Sequence, residues 1–263
     1  VADRHGFLMH AWRLAWALGP YLDRRGQWRD NVRIGQLGLA AALAVGDEPA
    51  AANLHRMMGM AYTGVGDFGG AERHYCEAAA LYRRLGDEIG EGYALINSGG
   101  VSQQQGDFAV ALDRVEAGRA VFKRAGFAPG VRRSGILIGY LAAKLGDHER
   151  SLAFCEEALA DEALSDLERG SVLSSKGTAL RHLGEHRRAV EAYRAGIALV
   201  SRVGHDRYEA DVQRGLGHSL HQLGEIEGAR AAWQRALDLN SDMQETDAIR
   251  AELLELLAGI PVS

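Results

Sequence analysis

Pairs of glycines separated by seven residues recur along this chain and constrain its fold more than any other feature. The second glycine of each pair lies at position 26, 66, 106, 146, 184 or 224, so successive pairs are 40, 40, 40, 38 and 40 residues apart. Such a period is typical of stacked helical repeats, in which each unit contacts its neighbours instead of one central core. We therefore expect a repeat protein, for which the length of 263 residues does not indicate the number of domains.

The sequence between the glycines predicts pairs of α-helices. A glycine followed by Asp or Glu suits a helix end and a new helix start, because glycine tolerates a left-handed C-cap and the acid faces the next helix's positive end. The predicted helices are 49–65, 69–85, 91–105, 109–125, 131–145, 149–160, 167–183, 187–203, 208–223 and 226–239. The first glycine of a pair lies mid-helix, where it costs about 1 kcal/mol relative to alanine. We expect it to pack against a bulky residue of the second helix, namely Tyr75, Tyr193 or Trp233.

Composition places the chain among folded proteins of the cytoplasm. The residues are 47% hydrophobic and 25% charged, and the net charge of -5 argues against nucleic acid or an anionic membrane as a partner. No apolar stretch reaches the roughly 20 residues that a membrane span needs. Cys76 and Cys155 lie about two repeats apart, so we interpret both as buried thiols in a reducing compartment. The chain begins with Val1, which suggests a piece of a longer protein.

Two hairpins match the consensus of a known repeat family. One carries Gly59, Tyr62, Gly66, Asp67, Phe68, Ala71, Tyr75 and Ala78; another carries Gly217, Leu220, Gly224, Glu225, Ala229, Trp233, Ala236 and Leu237. This pattern resembles the tetratricopeptide repeat, although the period exceeds the usual value of about 34 and by itself equally allows HEAT or armadillo repeats. The resemblance implies an all-α, right-handed α-solenoid of about six helical hairpins with a C-terminal capping helix.

That resemblance predicts one superhelical domain over residues 1–263. Residues 1–45 form a divergent first repeat, because Asn31 and Gly35 stand where alanine and an aromatic residue are expected, so we expect its helices to pack differently. Residues 46–240 form regular repeats, and 241–263 form a capping helix and tail with Ile249, Leu253, Leu256 and Leu257 on one face. Residues 10–28, together with the array, resemble the C-terminal repeat region of actinobacterial Streptomyces antibiotic regulatory proteins and related nucleotide-hydrolysing switch proteins.

In a tetratricopeptide stack the first helix of each hairpin lines the concave side. On that register, seven of the inward side chains are basic and two are acidic, in contrast to the acidic whole chain. This contrast favours an acidic peptide, carboxylate or phosphate as the ligand. The predicted groove residues are Arg13, Trp16, Asn53, Arg56, Tyr93, Asn97, Gln103, Arg133, Tyr140, Lys144, Arg181, Arg214 and His218.

The sequence predicts that this chain is not an enzyme. It contains no phosphate-binding loop and no activated nucleophile, and histidine pairs such as His218 and His221 lack further ligands nearby, so we expect no metal or cofactor. The predicted function is a non-catalytic interaction module of a bacterial transcriptional regulator, which binds a protein or peptide and contacts other domains of the same regulator without touching DNA. The alternative is a sensor domain for a signalling peptide or a small-molecule effector.

Overall fold

The computed structural model describes residues 2–201, 206–239 and 247–259, and these residues form helices joined by short turns. The helices are α1 (Ala2–Arg24), α2 (Trp28–Ala44), α3 (Glu48–Val65), α4 (Phe68–Leu85), α5 (Glu88–Gln104), α6 (Phe108–Arg124), α7 (Ala128–Lys144), α8 (His148–Leu159), α9 (Asp166–His182), α10 (His186–Val200), α11 (Asp206–Gln222), α12 (Ile226–Leu239) and α13 (Asp247–Ala258). Every predicted helix from position 49 to 239 is present, with bounds within three residues of the prediction. The predicted all-α repeat fold is confirmed.

Glycine and aspartate make the turns between these helices. Glycines in the left-handed region recur every twenty residues from Gly26 to Gly146, and again at 184 and 224. At Gly66, φ is 82°, and its N–H donates to the Thr63 carbonyl, which closes the end of α3. The next residue, Asp67, accepts the Gly70 N–H at 2.8 Å and so caps the start of α4. The same Gly-Asp step therefore serves both within hairpins and between them.

The chain divides into two compact units, residues 1–134 (unit 1) and 135–263 (unit 2), and the division falls within α7. In unit 1, small residues let the helices approach closely. Gly59 of α3 lies against the ring of Tyr75 in α4, where an added Cβ would lie 2.6 Å from Cε1. Ala71 and Ala78 of α4 are fully buried beside it. The predicted packing of a mid-helix glycine on an aromatic ring is confirmed here.

A polar network also joins three helices of unit 1. Arg114 of α6 donates to the Glu72 carboxylate of α4 at 2.5 Å and to the Ser102 hydroxyl of α5 at 2.7 Å. Ser98 of α5 donates to the same carboxylate at 3.1 Å. These side chains are partly buried, so the charge-assisted bonds fix how neighbouring hairpins sit against each other within the unit.

In unit 2 the core lies around Tyr193 and Trp233, which are 1% and 0% exposed. Gly177 packs against the ring of Tyr193, where a Cβ added to the glycine would lie 2.7 Å from Cδ1. Gly217 packs against the indole of Trp233, and both contacts are as predicted. Leu253 of α13 is fully buried in this cluster, with Leu256 and Leu257 packed beside it. The predicted capping helix is thus present over Asp247–Ala258. Residues 241–246, the side chain of Ile249 and residues 260–263 lie outside the described part of the chain.

The first hairpin, α1 and α2, packs differently from the hairpin that contains Gly59 and Tyr75. Gly19 occupies the position of Gly59, but its neighbours are Met57 of α3 and Asn31 of α2 instead of an aromatic ring. Asn31 is 1% exposed, and its Nδ2 donates to the Gly19 carbonyl at 3.3 Å. One prediction about the cysteines is wrong. Cys76 is exposed, whereas Cys155 is buried, and that burial raises the pKa of its thiol to about 11.

Candidate binding clefts in the two units

A cleft of about 750 Å³ opens in unit 2 between the first helices of its hairpins. It is called the basic cleft below. Helices α7, α9 and α11 supply most of its wall because each presents one polar face away from the core, and α10 adds one tyrosine. Its lining residues are Tyr140, Ala143, Lys144, Ser171, Ser174, Ser175, Thr178, Arg181, His182, Tyr193, Tyr208, Asp211, Arg214, Gly215 and His218. Its size and open form suit an extended segment of chain.

Three basic side chains and one acid line the basic cleft. The Lys144 ammonium lies 5.5 Å from the centre of the Tyr140 ring, and Arg214 lies 3.8 Å from the Asp211 carboxylate one turn away. Arg181 contacts His182 at 2.8 Å between Nη2 and Nε2. Counting three positive and one negative group, the lining carries two net positive charges, whereas the whole chain carries -5. The cleft therefore offers favourable sites to carboxylates or phosphates.

The surroundings of His182, one of two histidines that line the basic cleft, favour its neutral form. The ring of His182 stacks on His148, with centroids 4.2 Å apart and planes 5° apart. Partial burial, the Arg181 guanidinium and His148 lower the pKa of His182. A neutral ring leaves Arg181 as the cation at this point of the cleft.

One tyrosine connects the core of unit 2 to the basic cleft. The ring of Tyr193 lies between Gly177 of α9 and Gly215 of α11, and a Cβ built on Gly215 would lie 2.5 Å from the tyrosine oxygen. The Tyr193 hydroxyl donates to Thr178 Oγ1 at 3.2 Å. Burial raises the pKa of Tyr193, so it presents a neutral hydroxyl. Only glycine at both contact positions leaves room for the ring to reach the cleft.

A smaller pocket of about 280 Å³ lies in unit 1. It is called the first-hairpin pocket below. Its lining residues are Trp16, Gly19, Pro20, Asp23, Arg24, Asn31, Arg56, Met57 and Met60. The guanidinium of Arg56 lies 5.9 Å from the centre of the Trp16 ring. Its lining combines one indole ring and two thioethers with three charged side chains.

The structure brings some of the predicted groove residues together and leaves others apart. Five line the basic cleft, namely Tyr140, Lys144, Arg181, Arg214 and His218. Two line the first-hairpin pocket, namely Trp16 and Arg56. Six line neither of these two sites, namely Arg13, Asn53, Tyr93, Asn97, Gln103 and Arg133. That any of the thirteen binds a partner stays a prediction.

Several of the six make contacts within unit 1. Asn53 accepts the Tyr82 hydroxyl at 2.9 Å and donates to the Pro49 carbonyl at 3.0 Å. Tyr93 contacts Phe122 and Phe127 edge-on, with centroids 5.1 and 6.0 Å away. Arg13 is exposed and lies over the Trp12 ring. Asn97 and Gln103 are half-buried on α5, and Arg133 is exposed on α7.

Sequence reasoning missed several residues of both sites. The sequence predicts a packing role alone for Tyr193, and it does not place Tyr208, Ser171 or Ser175 in the groove, yet all four line the basic cleft. Gly215, two residues before the predicted mid-helix glycine of its hairpin, is the signal that could have shown a ring passing toward the cleft. Asn31 departs from the repeat pattern in the sequence, and the structure places it in the lining of the first-hairpin pocket.

The described residues contain no group of three or more His, Cys, Asp and Glu side chains placed to hold a metal ion. His218 and His221, the histidine pair that lacks further ligands in the sequence, both lie against the Trp233 ring, with centroids 5.5 and 5.6 Å away. Over the same described ranges, the structure has no helix that combines the length and apolar character of a membrane span.

The family model of the tetratricopeptide repeat matches residues 136–160, which cover most of the α7/α8 hairpin. This stretch of the chain is therefore similar to a tetratricopeptide repeat. The remaining hairpins repeat the same helix-turn-helix arrangement, and the fold is that of tetratricopeptide-repeat proteins. A comparison with curated protein sequences finds no match.

Solved structures with this repeat fold include a quorum sensor and an aspartyl phosphate phosphatase. The apo quorum sensor NprR from B. thuringiensis aligns with a TM-score of 0.72 at 16% identity, over 92% of this chain and 68% of that chain. NprR in complex with its cognate peptide NprX aligns with a TM-score of 0.62 at 16% identity, over 93% and 72%. Aspartyl phosphate phosphatase F from Bacillus subtilis aligns with a TM-score of 0.68 at 14% identity, over 90% and 61%. At these identities the likeness shows the fold alone.

Proposed function

We propose that this chain is a non-catalytic interaction module that binds an acidic peptide or protein segment in the basic cleft of unit 2. The observation that carries the proposal is the grouping of Lys144, Arg181 and Arg214 around one cleft in a chain of net charge -5. Carboxylates of a bound segment would pair with these cations, because charge-assisted hydrogen bonds to Lys and Arg are among the strongest in proteins.

The hydroxyl groups of the cleft fit the rest of such a segment. Ser174, Ser175 and Thr178 lie along α9, and Tyr193 presents its hydroxyl beside them. A backbone in extended form offers N–H and C=O groups at regular intervals, and hydroxyls both donate and accept. In this proposal the basic side chains select for charge and the hydroxyls hold the main chain.

We further propose that the module belongs to a bacterial transcriptional regulator, in which it contacts the partner and other domains of the same protein without binding DNA. The repeat resemblance of residues 10–28 and the acidic net charge support this context. Binding would alter the assembly of the attached domains, as expected of a non-catalytic repeat region in the cytoplasm.

The experiment is a screen of random synthetic hexapeptides for binding to the purified chain, followed by fluorescence-anisotropy titration of the enriched sequences. We expect Asp and Glu to be enriched. Replacing Lys144 and Arg181 together by Glu should weaken binding by about tenfold or more, because two attractive contacts become repulsive.

The matched control is Arg187→Glu with Arg194→Glu, since both arginines are exposed on α10 of the same unit and line neither site. This pair changes the net charge by the same amount and should leave peptide affinity within about twofold. Equal losses in the two double variants would show that overall charge, and not the basic cleft, governs binding.

A second candidate is a sensor for a signalling peptide or a small-molecule effector. The specific support is the likeness in fold to NprR, which has been solved in complex with its cognate peptide. A sensor is stabilised by its ligand, so extracts of culture medium fractionated by size should raise the melting temperature of the chain. If a fraction still raises the melting temperature after protease treatment, the ligand is a small molecule. If protease treatment removes the effect, the ligand is a peptide.

A further inference from the structure

Three of the repeats place an aromatic ring opposite the mid-helix glycine, two have Val115 or Cys155 at that position, and the first hairpin has no side chain there at all. Gly59, Gly177 and Gly217 face Tyr75, Tyr193 and Trp233, each sixteen residues later in the chain. Gly19 is the glycine at this position in the first hairpin, and sixteen residues later stands Gly35. The first-hairpin pocket includes Gly19 in its lining. It therefore opens beside the point where three other hairpins hold a ring.

A flexible side chain takes the place of the ring. The Met57 thioether lies so close to Gly19 that a Cβ added to Gly19 would collide with its sulfur. Met57 Cε also approaches Gly35 and would lie 3.3 Å from a Cβ added to that residue. Methionine has three rotatable bonds and fills irregular space, so it moves aside at low cost. Together with the existing pocket of about 280 Å³, this gives room for a ring system, since an apolar cavity of about 150 Å³ already takes up benzene.

A buried hydrogen-bond acceptor lies at the floor of this pocket. Asn31 is 1% exposed and stands where the other hairpins have Ala71, Ala111, Ser151, Ala189 or Ala229. Its Nδ2 donates to the Gly19 carbonyl, which fixes the orientation of the amide. Its Oδ1 accepts no hydrogen bond from any of the described residues, and it lies 3.5 Å from the point where a Gly19 Cβ would be. An unmet buried acceptor is destabilising, so a ligand that supplies a donor gains by meeting it.

Proline shapes the wall of the same pocket. Pro20 lies inside α1 and has no N–H to donate to the carbonyl of Trp16, one turn earlier. Trp16 and Pro20 both line the pocket, and Arg56 lies over the Trp16 ring at its edge. A planar aromatic group would find an indole face, two methionines and a glycine backbone around it.

From this geometry we propose that the first-hairpin pocket binds an aromatic ring that carries an N–H or O–H donor. The ring lies against Gly19 in place of Met57, and the donor bonds to Asn31 Oδ1. The ring belongs either to a free small molecule or to a Trp or Tyr side chain of a bound peptide. This site lies in unit 1, and it depends neither on the basic cleft nor on the function proposed for it.

The first test titrates the purified chain with indole and with 1-methylindole, which has the same rings but no N–H. The methyl signals of 13C-labelled methionines report the site, because Met57 and Met60 line the pocket and Met9 does not. We expect indole to shift the Met57 and Met60 signals while Met9 stays unchanged, and 1-methylindole to bind about fivefold more weakly for loss of one hydrogen bond. Equal affinity for the two compounds, or no shift at Met57 and Met60, overturns the proposal.

The second test uses Asn31→Leu, with Gln36→Leu as the control amide on the same helix. Gln36 is exposed and lies outside the pocket lining. Asn31→Leu should abolish the preference for indole over 1-methylindole, whereas Gln36→Leu should keep it; the comparison is a double-mutant cycle between the acceptor and the donor. A preference that survives Asn31→Leu contradicts the proposal. If Asn31→Leu does not fold, the indole pair on the unchanged chain decides the question.

N-acetyl-tryptophanamide distinguishes the two sources of the ring. Binding as tight as that of indole means that the pocket accepts a tryptophan side chain with its flanking backbone, and identifies a peptide as the source. Binding of indole alone identifies a free small molecule. Failure of both compounds to shift Met57 and Met60 overturns the proposal for either source.

Discussion

At the scale of single residues, the mid-helix glycines explain much of the fold. Gly59 meets Tyr75, and Gly177 and Gly215 both meet Tyr193, so a ring lies on a backbone that carries no side chain. The contacts of Gly59 and Gly177 could be predicted from sequence because glycine is costly inside a helix and its recurrence needs a reason, whereas Gly215 lies outside the recurring positions. Asn31 could not be assigned in this way, because its role depends on the absence of a ring sixteen residues after Gly19.

Gly59→Ala should therefore destabilise unit 1. The new methyl group would lie 2.6 Å from Tyr75 Cε1, and overpacking of this kind costs about 1–3 kcal/mol, more than the gain of up to about 1 kcal/mol in helix propensity. Urea unfolding followed by circular dichroism measures the change. Gly100→Ala is the control, since a Cβ there meets nothing within 4 Å, and it should stabilise the chain. A stabilising Gly59→Ala would show that the ring moves freely.

A pair of histidines makes unit 1 sensitive to acid. The Nδ1 atoms of His55 and His74 lie 2.9 Å apart, so one must donate and the other must accept. Burial, together with the neighbouring His55 and Arg73, lowers the pKa of His74 from 6.5 to about 4, against the opposing influence of Asp67. Burial also lowers the pKa of His55, against the influence of Glu77.

The sign of the pH effect follows from these shifts. Between pH 6.5 and about 4 the unfolded chain binds more protons at His74 than the folded chain, so the free energy of unfolding decreases as pH falls through this window. His74→Gln should make urea midpoints depend less on pH over that range, whereas His10→Gln, at an exposed position, should leave the dependence unchanged. Identical pH profiles for the native chain and His74→Gln would exclude the pair as the cause.

At the scale of helices, a glycine step with left-handed backbone, followed by aspartate at five of its positions, sets where most elements end and the next begin. The twenty-residue recurrence of this glycine up to Gly146 made the bounds of most helices predictable to within three residues. After α8 the step is replaced by Ser165 and Glu168, which form a reciprocal capping box at the start of α9. The groove residues were harder to predict, because a position on the inward side of a helix does not say which contacts its side chain makes. Asn53, for example, bonds to Tyr82.

The cap at the start of α4 gives a test of this scale. Asp67→Ala removes the acceptor of the Gly70 N–H and should lower stability by about 1 kcal/mol, whereas Asp67→Asn keeps an acceptor and should cost only a few tenths. Urea midpoints of the two variants measure the difference. Equal losses for Ala and Asn would mean that the negative charge at the helix start, and not the hydrogen bond, is what matters.

At the scale of the whole molecule, two sites of different chemistry lie in the two units. The basic cleft offers cations and hydroxyls, and the first-hairpin pocket offers an aromatic face and one buried acceptor. The repeat fold was predictable because its signal recurs many times along the chain. The clefts were only partly predictable, because each depends on a few side chains that break the pattern.

These sites should respond differently to salt. Raising the ionic strength from about 0.01 M to about 0.15 M shortens the Debye length from about 30 to about 8 Å, so an acidic peptide should bind the basic cleft several-fold more weakly. Indole is uncharged, and its binding to unit 1 should change by less than about twofold over the same range. Calorimetric titration of both ligands checks this. A salt-independent peptide affinity would remove the basic side chains of unit 2 from the explanation of binding.

The position of Tyr193 has a mechanical consequence. Its ring packs between the glycine backbones of α9 and α11, at Gly177 and Gly215, so its contacts depend on the distance between these two helices. A ligand that increases the distance between α9 and α11 must break the contact of the Tyr193 ring with Gly177 or with Gly215. Ligand binding in the basic cleft would then change the packing of α10, which carries Tyr193, and of the hydrophobic core around that ring.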